Sequence, residues 1–133
     1  MKFLVDTDIC SAHLRQKGLV SNRVLQYTGG LCISAITLGE LYTWAYRDNA
    51  TPQRLQGLRD MLSDVTVLDV TSAVGERFGQ LQAGLLSIGK PAPGMDLMIA
   101  ATAIVHDLTL VTHNTQDYTN VPNLRLVDWA AGQ

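Results

Sequence analysis

Five short runs of strand-favouring residues divide this chain, and the long intervals between them carry apolar side chains at helical spacing. The runs cover residues 2–5, 31–34, 65–70, 109–112 and 124–127. They are close to continuously apolar, which is the pattern of strands covered on both faces. Between them, Leu38, Leu41, Tyr42 and Ala45, and then Leu55, Leu58, Met61 and Leu62, recur at the period of a helix with one buried stripe. Pro52 suits the first turn of a helix, and Thr71-Ser72 suits a cap on one running to Leu86. Further helices are expected over 7–14, 19–27 and 95–105, with a loop over 90–94. Strand and helix alternation predicts an α/β fold: an α/β/α sandwich around a mostly parallel sheet. At 133 residues the chain has the length of a single domain that buries a core of its own.

Four acids fall where such a sheet builds a site. Ligands bind beyond the carboxyl ends of strands in open α/β sheets. Asp6 follows the first run, Glu40 lies early in the helix after the second, and Asp117 follows the fourth by a turn. Asp96 opens the apolar helix over 95–105. None has an obvious basic neighbour in sequence. Each also has a local reading: Asp6-Thr7-Asp8 as a cap, Thr37 to Glu40 as a capping box, Asn114 to Asp117 as a near match, and Asp96 as a charge favoured by the helix dipole. If the four meet, each close pair repels by about 4 kcal/mol at an effective dielectric of 20. A hard divalent cation removes that repulsion and points to chemistry on phosphate.

Charge and cysteine content narrow the classes. The net charge of −2 argues against a protein that coats nucleic acid through bulk positive charge. Setting aside Asp6, Asp8, Glu40, Asp96 and Asp117, however, leaves seven acids against ten bases, so a metal-loaded site would sit in a mildly basic protein. Cys10 and Cys32 form no C-x-x-C pair and read as small core residues. The most apolar stretch, 97–105, is too short to span a bilayer, and no signal-like apolar run precedes Asp6. The expectation is a soluble, cytoplasmic protein.

Four blocks now form a recognisable order: Phe3-Leu4-Val5-Asp6-Thr7-Asp8, Ile33-Ser34-Ala35-Ile36-Thr37-Leu38-Gly39-Glu40-Leu41, Gly94-Met95-Asp96-Leu97-Met98-Ile99-Ala100-Ala101, and Leu110-Val111-Thr112-His113-Asn114-Thr115-Gln116-Asp117-Tyr118. Together with the Leu126-Val127-Asp128-Trp129 ending they resemble the PIN domain, in particular the VapC-type toxins of toxin–antitoxin pairs. The resemblance runs across residues 1–133 as one ribonuclease domain. It implies an endoribonuclease dependent on Mg²⁺ or Mn²⁺, with Asp6, Glu40, Asp96 and Asp117 as the acidic positions and Thr112 and Asn114 as supporting polar ones. Asp8 stands where the family often has Asn; the extra charge would tighten metal binding or supply an outer acceptor. Asp6 and Asp96 are the expected direct ligands, with Glu40 and Asp117 holding water or a second ion. A water nucleophile leaves 5′-phosphate and 3′-hydroxyl ends. The resemblance also implies a small antitoxin partner and a homodimer.

Two other functions fit parts of the pattern. Leu4-Val5-Asp6-Thr7-Asp8 is similar to the opening of haloacid-dehalogenase-type phosphatases, but Ile9-Cys10 follow it and no lysine precedes a late acidic pair. An inactive PIN-like binding module would have lost one or more acids, and none is missing. His13, His106 and His113 are scattered along the chain, which disfavours metal-free acid–base catalysis. Tyr42, Trp44 and Tyr46 are candidate stacking surfaces for bases, expected on different helix faces. Arg15, Lys17, Arg23, Arg47, Arg54 and Arg59 are candidate phosphate contacts or plain solvated surface.

Overall fold

Strand β1 (Phe3–Val5) runs into helix α1 (Thr7–Leu14) through a single residue, Asp6. Helix α2 (Gly18–Gln26), strand β2 (Leu31–Ser34), helices α3 (Ala35–Tyr46) and α4 (Pro52–Leu62), strand β3 (Thr66–Leu68), helices α5 (Ser72–Ser87) and α6 (Gly94–Val105), strand β4 (Thr109–Val111), a 3₁₀ turn (Thr115–Tyr118) and strand β5 (Leu126–Val127) follow. The computed structural model describes residues 2–15 and 18–130. Lys17, one of the candidate phosphate contacts, lies outside them.

The five strands form one sheet in the order β3-β2-β1-β4-β5, and every pairing is parallel. The expected mostly parallel sheet is therefore wholly parallel. Alternate residues of each strand serve the two faces. Leu4, Cys32 and Leu110 pack with Leu81, Leu85, Leu97 and Ala100 of α5 and α6. Val5, Ile33 and Val111 pack with Ile9, Leu41 and Leu58 of α1, α3 and α4. This two-sided covering is why the strands lack a polar face. Helix α6 is buried at Leu97 and throughout Ile99–Ala103, and its alanines let α5 and the sheet approach closely.

Two strands are shorter than their sequence runs. Only Thr66–Leu68 of the 65–70 run pairs, because β3 is an edge strand and Asp69 and Val70 are exposed beyond it. Likewise only Leu126–Val127 of the last run pairs, at the other edge. Helix α3 begins at Ala35, ahead of the start that a Thr37 capping box would set. Ser34 ends β2 and also caps α3, accepting from the Ile36 amide at 2.8 Å.

The chain proceeds outward from β1 to β2 and β3, then crosses back to place β4 and β5 on the other side of β1. The β1–β4 boundary is thus the point where connections diverge, and the crevice beyond the carboxyl ends of these strands is the natural ligand site.

Candidate active site

Asp6 sits at that boundary. Its amide donates to the Val111 carbonyl at 2.8 Å, continuing the β1–β4 ladder, while its side chain caps α1. The residue is only 6% exposed, so its charge needs compensation. Three donors supply it. The Thr7 amide donates to Oδ1 at 2.8 Å, and the hydroxyls of Thr112 and Tyr118 both donate to Oδ2 at 2.9 Å. Each oxygen of Asp6 accepts a hydrogen bond, and Oδ1, with a single one, keeps a lone pair.

Asp8, in the first turn of α1, ties that helix to the loop after β4. Its Oδ2 accepts from the amides of His113 (2.9 Å) and Asn114 (3.1 Å), and its Oδ1 from Ile9 (2.8 Å). Burial, then the nearby Asp6, push its pKa up, and the three amides pull against them. The Asn114 side chain makes no hydrogen bond among the described residues; its contribution runs through its amide, which donates to both Asp8 and Thr112 Oγ1.

Glu40 does not close the expected capping box. Because α3 starts at Ala35, Glu40 lies well inside the helix, and its Oε1 accepts from Thr7 Oγ1 at 2.6 Å. Thr7 Oγ1 also lies 3.3 Å from the buried Thr37 hydroxyl. With its single proton committed to Glu40, Thr7 accepts from Thr37, giving a relay Thr37–Thr7–Glu40. Asp117 lies in the 3₁₀ turn; its amide donates to the Asn114 carbonyl at 3.1 Å, and no side-chain cap forms there.

Asp96 occupies the first turn of α6, and its carboxyl makes no hydrogen bond among the described residues. Its pKa is pushed up to about 6, first by burial and then by the charges of Asp6, Asp117, Glu40 and Asp8. The acids therefore share one field although they come from α1, α3, α6 and the loop after β4. No Lys or Arg among the described residues forms an ion pair with any of them. Nor do any three acidic, His or Cys side chains there close into a ready-made coordination sphere. Carboxylate oxygens without a cationic partner suit Mg²⁺, which retains most of its waters and takes one or two carboxylates.

Two functional residues had little sequence signal. Tyr118 follows an acid in a polar turn and reads as a core aromatic, which at 2% exposed it also is, yet its hydroxyl holds Asp6. Burial and Asp6 hold the phenol above its ordinary pKa, so it stays a donor. Thr7, between two acids, positions Glu40. The other candidates sort by place. His13 bonds Ser21 and is pushed down in pKa by burial, and His106 ends α6 away from Asp96. His113 alone approaches the acids. Tyr42 and Tyr46 stack on one face of α3 with centroids 5.9 Å apart, contrary to the expectation of separate faces. Arg54 is engaged, covering the Trp44 ring and donating to the carbonyls of Trp44 and Asp48. Cys10 and Cys32 are buried free thiols whose pKa burial pushes up, the behaviour of core residues.

The PIN domain pattern matches residues 3–123. The chain is 34% identical over 131 residues to the tRNA(fMet)-specific endonuclease VapC of Shigella flexneri, covering 98% of this chain and 99% of that protein. It is 32% identical to Ribonuclease VapC2 of Haemophilus influenzae, covering 97% and 98%. Among solved structures it is similar to VapBC of Salmonella typhimurium bound to DNA, with a TM-score of 0.91 at 32% identity over 97% of this chain and 98% of that one. VapBC2 of Rickettsia felis, bound to a promoter DNA fragment, superposes with a TM-score of 0.89 at 27% identity over 97% and 99%. With likeness along nearly its whole length, the chain belongs to the PIN-domain family, among its VapC-type endoribonucleases.

Proposed function

We propose that Asp6, Glu40, Asp96 and Asp117 form the catalytic centre at which this ribonuclease hydrolyses RNA, with Asp6 and Asp96 as ligands of Mg²⁺ or Mn²⁺. The observation that carries the reading is the raised pKa of Asp96 amid four other acids without a cationic partner. A divalent ion bound there supplies neutralisation of the scissile phosphate and activation of water. The protein's own contribution is preorganisation. Thr112 and Tyr118 fix the orientation of Asp6 through one oxygen. Thr7 holds Glu40 where it can accept a proton from the attacking water. Asp8, gripped by the His113 and Asn114 amides, anchors the loop after β4 to α1 and adds negative charge beside Asp6. Asp117 completes the acidic rim from the 3₁₀ turn.

A transfer RNA is the favoured substrate class, on the strength of the name of the Shigella flexneri relative. In the same reading residues 1–133 are one ribonuclease domain, the toxin of a toxin–antitoxin pair. It acts in the cytoplasm as a homodimer held silent by a small antitoxin; the antitoxin is supported by the structural relatives of Salmonella typhimurium and Rickettsia felis, which are VapBC complexes. No helix among the described residues is long and apolar enough to cross a membrane. The test is direct: partner-free protein is incubated with transfer RNA and Mg²⁺, with and without chelator. Cleavage leaving 5′-phosphate ends and stopping in chelator is expected. Cleavage that persists in chelator overturns the metal-dependent reading.

A further inference from the structure

Beside the acids lies a hollow of about 300 Å³ rimmed by Asp8, Arg15 and His113 and walled by Ala12 and Ala130, over the fully buried Ile9 and Val20. An apolar floor with a few convergent polar groups is the lining of a small-ligand subsite. Two side chains on its rim are unspent. Arg15 follows α1 directly, and its guanidinium forms no ion pair or hydrogen bond among the described residues. The His113 ring is held by Asp128, whose Oδ2 lies 3.0 Å from Nδ1. A carboxylate only accepts, so Nδ1 carries the proton, and Nε2 has no partner among the described residues. Asp128 is itself fixed, because its Oδ1 accepts from the Ala130 amide at 2.8 Å. The imidazole is thus oriented from behind and open in front. Its own amide bonds Asp8, which ties the hollow rigidly to the acid cluster.

The geometry points to this hollow as the subsite for the nucleoside next to the scissile phosphate, with His113 Nε2 reading the base edge and Arg15 taking the adjoining phosphate. The assignment rests on the ribonuclease reading and deepens it. The small alanine walls leave room for a nucleobase, and an unpaired guanidinium suits a phosphate bidentately. Arg15 is singled out from the other candidate bases by lining the hollow; Arg54 is in addition engaged with Trp44 and Asp48, and Arg47 pairs with Asp48.

The experiment uses full-length Arg15→Ala and His113→Ala proteins, with Arg59→Ala as a control for loss of one exposed charge on α4. Binding of a fluorescent transfer RNA is measured in chelator across a salt series, and cleavage in Mg²⁺ is mapped on RNAs varied at each flanking nucleotide. Arg15→Ala is expected to weaken binding about fivefold to tenfold and to reduce the salt slope by about one phosphate contact. Arg15→Lys should restore the slope. His113→Ala is expected to flatten nucleotide preference at one flanking position, raising KM more than it lowers kcat. Variants indistinguishable from Arg59→Ala overturn the assignment. So do variants that bind RNA normally but lose the antitoxin, which would make the hollow a partner site. Failure of wild type to cleave RNA strikes the catalytic reading instead, whereas the chelator binding data test the subsite by themselves.

Discussion

Replacing Asp96 by Asn should stabilise the metal-free protein while abolishing cleavage. In the native site the Asp96 carboxyl is raised from 3.8 to about 6, by burial first and by Asp6, Asp117, Glu40 and Asp8 after it. Each pKa unit corresponds to about 1.4 kcal/mol, so the charged form carries a penalty of at most about 3 kcal/mol. The carboxyl is partly exposed, and solvent screening halves this to about 1.5 kcal/mol. Loss of a favourable charge in the first turn of α6 subtracts about 0.5 kcal/mol. The net gain for Asp96→Asn is therefore about 1 kcal/mol, or roughly 3–4 °C in Tm for a domain of this length. The sign of the pH dependence follows from the folded pKa lying above the unfolded one. Between about pH 4 and pH 6 the folded wild type binds more protons than the unfolded chain, so its stability falls as pH rises through that window. The advantage of the variant opens across the same window, is complete above it, and vanishes below about pH 4. Thermal melts by circular dichroism in chelator at pH 7.5 and pH 4 would show it. A variant that melts below wild type at pH 7.5, with a gap that does not change at pH 4, would refute the reasoning and make Asp96 a structural residue.

Other outcomes follow from the same geometry. Tyr118→Phe removes one of two hydroxyl donors from the buried Asp6 Oδ2 and should cost about 1–3 kcal/mol, with weaker Mg²⁺ binding by calorimetry. Thr7→Val breaks the 2.6 Å bond to Glu40 while keeping the shape of the side chain; kcat should fall with KM little changed in a steady-state RNA assay. Mg²⁺ binding requires ionised Asp96, so apparent Mg²⁺ affinity should rise with pH through about 6 and level off above it, read by titration calorimetry between pH 5 and pH 8. Saturating Mg²⁺ should raise the Tm of wild type but not of Asp96→Asn.

Much of the fold was legible because parallel strands covered on both sides leave an apolar signature that no amphipathic helix mimics. The positions of Asp6 after β1 and Asp96 at the start of α6 could be placed from those patterns alone. The losses have physical reasons. The run over 65–70 reads as a strand along its length, yet an edge strand pairs on one side only and its ends are free to leave the sheet. Glu40 looked like a capping-box acid because sequence could not reveal that β2 passes into α3 without a loop, with Ser34 taking the cap. The sequence marks Asn114 as a supporting polar residue but cannot show that the tight turn presents its amide to Asp8. Tyr118 carried no signal, since a hydroxyl bond spanning 112 residues of sequence is a product of tertiary packing.

The central claim is that Asp6 and Asp96, from distant parts of the chain, hold a divalent ion among the other acids. The most direct measurement is Mn²⁺ titration of the partner-free protein by electron paramagnetic resonance, beside Asp6→Asn and Asp96→Asn. The account predicts saturable binding to wild type that is lost in both variants while they remain folded. Undiminished binding to both variants, or none to wild type, would contradict it.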